Sequence, residues 1–179
     1  MGESIAVIRL ETQRLVLREL TAEDAPALHA VWGDAETMRW YPRPYTLEET
    51  GERIARYRAL YASGAGLLGV VLRESGELIG DCGLTWQDVK GVQEPEIGYH
   101  VRRDFWKQGL ATEAARAVRD YALAALGCDH VISLIRPENL PSRRVAEKNG
   151  LTLDRVIFWR GYEHCVYRLA KADAPAPSR

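Results

Sequence analysis

The stretch from Glu96 to Ala114 changes its hydrophobic period midway, and that change constrains the chain more than any other feature. Glu96 to Val101 mixes apolar and β-prone residues and runs into Arg102 and Arg103, which reads as a strand leaving a core. From Gly109 onward, Leu110, Ala114, Val118, Tyr121, Ala122 and Ala125 recur at helical spacing, and Gly127 is placed to end the helix. A strand therefore feeds a tight turn that opens directly into a long helix. The first amides of a helix have no partner inside it and sit at the positive end of its dipole. Gly109 lets a bulky anion approach the backbone, Ala111 keeps the first turn slim, and Lys107, Arg102 and Arg103 add positive charge. Such a joint can hold a pyrophosphate. It is also the pattern of an ordinary strand-to-helix connection. Neither a Walker loop nor the dinucleotide glycine fingerprint is present.

A second stretch adds weight. Val131 to Arg136 is a nearly continuous apolar run, hence a buried strand. After it, Asn139 is a natural cap, Pro141 suits a first helical turn, and Gly150 suits the helix end.

Together these stretches resemble the GNAT superfamily of acetyl-CoA-dependent N-acetyltransferases, and within it the RimJ/RimL-type branch. Phe105-Trp106-Lys107-Gln108-Gly109-Leu110-Ala111-Thr112-Glu113-Ala114 follows the branch's cofactor turn. Pro137-Glu138-Asn139, then Ser142, Arg144, Val145, Glu147, Lys148 and Gly150, follow its second signature. Thr12-Gln13-Arg14-Leu15-Val16-Leu17-Arg18-Glu19-Leu20 is a typical opening. One departure is Trp106, which stands where the wider family has Arg or Gln. The resemblance runs from about Ile8 to Leu169.

The resemblance implies an α/β fold with a central mixed sheet of about six or seven strands, flanked by about four helices. Two parallel strands, ending at Val101 and Arg136, would splay apart around the pantetheine of acetyl-CoA. The backbone of Tyr99, His100 and Val101 would pair with the pantetheine amides. Lys107, Gln108, Gly109, Leu110, Ala111 and Thr112 would wrap the pyrophosphate, Asn139 would hold the pantetheine arm, and Ser142 would lie near the sulfur. Asn139 and Ser142 also suit simple helix capping. Acetyl transfer needs a neutral amine, so a base must take its proton. Glu96 and His100 are the candidates, each with an ordinary structural alternative. Relatives carry a proton-donating tyrosine where this chain has Ala146, which leaves the Ser142 hydroxyl as a donor. Trp40, Tyr41, Arg43 and Trp86 are expected at the acceptor cleft, with Trp32, Tyr45, Trp159 and His164 as further lining. The resemblance favours a protein N-terminal α-amine as acceptor. A small amine, an aminoglycoside, or acyl-CoA binding without turnover are the alternatives.

Bulk properties bound the rest. At 179 residues and a formal net charge of −1, charge-driven nucleic acid binding is not expected. No apolar stretch reaches membrane-spanning length, and the N-terminus lacks a signal pattern, so no membrane partner and a cytoplasmic location are expected. Cys82, Cys128 and Cys165 are too scattered for a metal site and read as buried free thiols. Family members are often dimers, which makes a homodimer an expectation. One domain over residues 7–171 should be followed by a disordered tail over 172–179.

In chain order the remaining readings are these. Residues 1–6 form a loose leader, and Ile8–Leu20 contains one strand. Helices start at Thr21 and Thr46, on either side of an aromatic loop from Met38 to Tyr45. Strands Leu67–Leu72 and Leu78–Trp86 flank a hairpin turn, with Gly80 and Gly83 suited to a bulge. Gln87–Pro95 reads as a polar loop. A final hairpin, Leu153–Arg160 and Tyr162–Leu169, turns on Gly161.

Overall fold

Leu15 and Leu17 are fully buried while their neighbours Val16 and Arg18 are only half-buried, the alternation of a strand with one covered face. The strand that carries them is shorter than expected. In the computed structural model, which describes residues 7–175, the Ile8–Leu20 segment folds as two antiparallel strands, β1 (Arg9–Glu11) and β2 (Leu15–Arg18). The Thr12 hydroxyl donates to the Leu15 carbonyl and accepts from its amide, closing the turn. The leader read over residues 1–6 lies outside the described residues.

The capping pairs work as the sequence indicates. Thr21 and Asp24 cap a short 3-10 turn that leads into α1 (Ala25–Trp32). Thr46 and Glu49 form a reciprocal box at the start of α2 (Leu47–Leu60). Next come β3 (Gly66–Leu72), β4 (Leu78–Val89) and β5 (Val92–Val101). They are followed by α3 (Leu110–Ala124), β6 (His130–Ile135), α4 (Leu140–Lys148), β7 (Thr152–Trp159) and β8 (Tyr162–Ala170). The described residues form an eight-stranded sheet in the order β1-β2-β3-β4-β5-β6-β8-β7, one strand more than the upper expectation. Only β5 and β6 run parallel; the other neighbours are antiparallel.

Gln87–Pro95 is a hairpin rather than a loop. β4 runs on to Val89, and Lys90 and Gly91 take φ of 54° and 85° in a two-residue turn. Arg160 and Gly161 repeat this device at 49° and 87° in the β7–β8 hairpin. Pro95 is tolerated because β5 gains its second neighbour only at Glu96, so no pairing on that side is lost. Glu96 is therefore mid-strand and does not begin β5. A bulge sits on β4 beside Gly80, where Ile79 is the extra residue between the Val70–Gly80 and Val71–Leu78 pairs, whereas Gly83 lies in regular register. At Gly83 a Cβ would come within 2.1 Å of the Gly66 carbonyl oxygen, so close strand approach is what demands glycine there.

Helices cover both faces of the sheet. Ala114, Val118 and Ala122 of α3 pack with Leu68, Cys82, Leu84, Ile97 and Val101 on one side. Trp32, Leu28, Val31 and Ile54 pack with Leu67 and Leu78 on the other. All three cysteines are buried free thiols. Helix α3 ends at Ala124, with Gly127 supplying the left-handed residue just beyond it. The expected tail begins with order, since residues 171–173 form a 3-10 turn and Ala174 packs on the core; residues 176–179 lie outside the described part. No described helix is long and apolar enough to cross a membrane.

Candidate active site

The turn between β5 and α3 is built to leave its amides free. Lys107 and Gly109 both take left-handed conformations, φ 62° and 78°, which makes successive N–H groups converge as in an anion nest. Among the described residues, the amides of 107–112 meet no hydrogen-bond acceptor; the first closed bond runs from the Glu113 amide to the Gly109 carbonyl. A Cβ at Gly109 would touch only Arg14 Nη2, at 3.6 Å, so conformation rather than space requires glycine.

The opening motif fixes this turn in place. Arg14 donates through Nη1 to the Gln108 carbonyl (2.9 Å) and through Nε to Glu113 (2.7 Å). Its amide and the Thr12 hydroxyl also bind the Glu113 carboxylate. Burial alone would raise the Glu113 carboxyl, but Thr12 and Arg14 outweigh it and hold it below its ordinary value. The indole Nε1 of Trp106 donates to the Val101 carbonyl at 2.6 Å, so this departure residue ties the strand end to the turn. The same bond already occupies one side of the Val101 carbonyl.

Strands β5 and β6 share one registered pair, Glu96 with Ile132, and then separate. The Ser133 hydroxyl fills the Ile97 carbonyl at 2.9 Å, and the Leu134 amide reaches Glu96 Oε1 at 3.4 Å. Beyond that apex the sheet opens a slot towards the nest. Across the slot, the Tyr99 hydroxyl donates to the Ser142 carbonyl at 2.8 Å. Asn139 accepts from the Ser142 amide at 3.3 Å and so caps α4, while Ala146 is buried in the core. A pantetheine arm and pyrophosphate fit these features: a gap between parallel strands, ending at six free amides.

The other face of β5 carries Glu96, Gly98 and His100 in alternation. Burial pushes the Glu96 carboxyl above its ordinary value, against the pull of Gln87, the Leu134 amide, Arg160 and His100. His100 belongs to a chain of polar contacts that the sequence does not reveal. Trp32 Nε1 donates to Asp81 Oδ2 (2.7 Å), Asp81 Oδ1 meets His100 Nδ1 (3.0 Å), and His100 Nε2 meets the Tyr41 hydroxyl (2.7 Å). Asp81 is fully buried, and its Oδ1 orients the imidazole through Nδ1, with Nε2 turned to the Tyr41 hydroxyl. Desolvation, with Glu96 and Asp81 nearby, raises the Tyr41 phenol well above its ordinary value.

The remaining aromatic candidates divide. Trp32 is core, not lining, with its indole N–H spent on Asp81. Tyr45 packs edge-on against it. Trp86 is half exposed on β4, and Trp40 lies under Arg39. Arg43 is engaged by Glu49 and the Pro44 carbonyl. Trp159 packs against His164 and donates to the Asp88 carbonyl, linking the two long hairpins.

Comparison with known proteins agrees with this geometry. The model of the acetyltransferase (GNAT) domain matches residues 14–152. The uncharacterized N-acetyltransferase p20 of Bacillus licheniformis is 31% identical over 163 residues, 89% of this chain and 90% of that one. The crystal structure of an acetyltransferase from Agrobacterium tumefaciens superposes with a TM-score of 0.78 at 30% identity, over 94% of this chain and 98% of its own. RimL, a ribosomal α-N-protein acetyltransferase solved with coenzyme A, gives 0.73 at 18% identity over 91% and 98%, a likeness of fold. With the family model spanning most of the chain and the fold matched throughout, this protein belongs to the GNAT family and is an acyl-CoA-dependent N-acetyltransferase.

Proposed function

We propose that the protein acetylates the N-terminal α-amine of a polypeptide, with the acceptor entering beside Tyr41 and reacting at Glu96. The observation that carries this reading is the position of Glu96. It lies at the apex where β5 and β6 part, with its carboxyl raised by burial, and so pairs the end of the cofactor slot with a basic group. His100 lies four residues further along the strand, about 13 Å away along the backbone, too far to share one amine proton directly. Acetyl-CoA supplies the activated acyl group. Glu96 takes a proton from the incoming ammonium, the amine nitrogen forms the amide bond as the C–S bond breaks, and the departing thiolate takes a proton. Ser142, at the start of α4, and Tyr99, whose phenol is bonded to the Ser142 carbonyl, are the hydroxyl-bearing residues on that side of the slot. The Trp32–Asp81–His100–Tyr41 chain keeps the wall of the acceptor opening rigid. The resemblance to the RimJ/RimL branch and the fold likeness to RimL support a protein α-amine as acceptor.

The experiment is release of free CoA from acetyl-CoA against peptides with free N-termini, aminoglycosides and small amines, with Gly109→Glu as control. Peptide-dependent release that the control abolishes supports the reading. Turnover of small amines alone would reassign the acceptor. Tight acetyl-CoA binding with no release for any amine would point to an acyl-CoA sensor.

A further inference from the structure

Arg53 reaches from α2 into the wall beside the acceptor opening without an acid of its own. Its guanidinium lies 5.2 Å from the ring centre of Trp32, 4.6 Å from Tyr45 and 5.6 Å from Tyr57. It donates to the hydroxyls of Tyr45 (2.9 Å) and Tyr57 (2.7 Å). Among the described residues no carboxylate forms an ion pair with it, and its Nε is buried without an acceptor. A guanidinium carries five N–H groups, and the two tyrosines use two of them. Asp81, whose charge reaches Arg53, is already committed to Trp32 and His100. Glu49, on the same helix, is committed to Arg43 and the Thr46 cap. Ring faces and neutral hydroxyls compensate a half-buried cation only in part. If the role were packing alone, an apolar side chain would fill the aromatic cage without desolvating a charge.

The cage is continuous with the acceptor wall. Trp32 lies 6.4 Å from His100, and His100 lies 5.3 Å from Tyr41, centre to centre. The charges of Arg53, Glu96 and Asp81 all act on the Tyr41 hydroxyl, so Tyr41 stands between the cation and the acids. Because Tyr45 and Tyr57 accept from Arg53, their own O–H protons are left free to donate.

We propose that Arg53, with the Tyr45 and Tyr57 hydroxyls, forms an anion subsite, so that the preferred acceptor is a primary amine that also carries a carboxylate. The inference rests on the acetyl-transfer reading above and adds a carboxylate, set well away from the reacting amine, to its acceptor. The carboxylate can belong to an acidic side chain close to a peptide N-terminus or to the far end of a long-chain amino acid; the recognising chemistry is the same.

Two matched pairs of acceptors test it with the full chain: a tetrapeptide amide with glutamate in second place against its glutamine counterpart, and 6-aminohexanoate against 6-aminohexanamide. CoA release is followed for the wild type, Arg53→Gln and Arg53→Lys. In at least one pair, kcat/KM should favour the carboxylate member by roughly tenfold or more, the scale of one charged hydrogen bond. That ratio should fall towards one in Arg53→Gln and be partly kept in Arg53→Lys; the pair that shows it identifies the source of the carboxylate. A wild-type ratio near one in both pairs, or a ratio that survives Arg53→Gln, overturns the subsite and leaves acetyl transfer standing. The wild-type ratios decide even if a variant fails to fold. If no compound supports CoA release, transfer is the reading in question, and calorimetric titration of the four compounds into the CoA-loaded protein decides the subsite. Binding of carboxylate members that Arg53→Gln loses supports it, and equal or absent binding of both members overturns it.

Discussion

At the scale of single residues, the site turns on two acids of opposite legibility. Glu96 is readable from the sequence because it shares a strand face with His100, and its burial makes a testable pH profile. A base works only when unprotonated, so kcat/KM should fall as pH drops through the Glu96 value. Because that value is raised in the fold, the acidic limb should lie above the ordinary carboxylate range. Glu96→Gln should remove the limb and lower kcat/KM by roughly 100-fold or more, measured by CoA release across pH. Asp81 is different. In sequence it is one charged residue between Gly80 and Cys82, and nothing there separates it from a solvated charge. Only the pairing of β4 with β5 brings it opposite His100, and only α1 brings the Trp32 indole to its second oxygen. Asp81→Asn places an amide where Nδ1 needs an acceptor. It should lower kcat/KM by about tenfold, the scale of one lost charge-assisted bond, with little change in KM for acetyl-CoA. A change confined to the acetyl-CoA KM would contradict the placement of His100 on the acceptor side.

At the scale of elements, the turn between β5 and α3 depends on a strand pair remote in sequence. Arg14 and Thr12 reach Glu113 across about a hundred residues of chain, and Arg14 also takes the Gln108 carbonyl. Arg14→Ala should raise the acetyl-CoA KM roughly three- to tenfold, about 1 kcal/mol for exposed charged bonds, with a smaller effect on the acceptor KM. Steady-state kinetics with each substrate varied separately distinguishes these. Gly109→Ala should cost about 1 kcal/mol of stability through its left-handed φ and no clash, read by urea denaturation. The two hairpin turns show why elements are unevenly legible. Arg160-Gly161 and Lys90-Gly91 use the same backbone conformation. The first stands out between aromatic, β-branched strands. The second is hidden among Gln87, Asp88, Gln93 and Glu94, with Pro95 adding a false break. A polar hairpin tip looks like a loop because its residues face water whether or not they pair.

At the scale of the whole molecule, acetyl-CoA held by the slot and the amides of the turn should stabilise the folded chain by mass action. A ligand at about 100 times its Kd stabilises by roughly 2.7 kcal/mol, equivalent to about 5–11 °C in Tm for a chain of this size. Thermal unfolding with and without acetyl-CoA measures it, and Gly109→Glu should abolish the shift while the protein remains folded. The sequence by itself determined the fold family, the strand–turn–helix joint and the capped helices, because these follow from local period, turn chemistry and short motifs. Tertiary structure alone decided the Arg14–Glu113 clamp, the Trp32–Asp81–His100–Tyr41 chain and the unpaired Arg53 in its aromatic cage. The first two join side chains from elements far apart in sequence, and the third depends on α1 laying Trp32 against Arg53 of α2. Residue type gives no sign of a partner until strand register and helix packing bring the two within bonding distance.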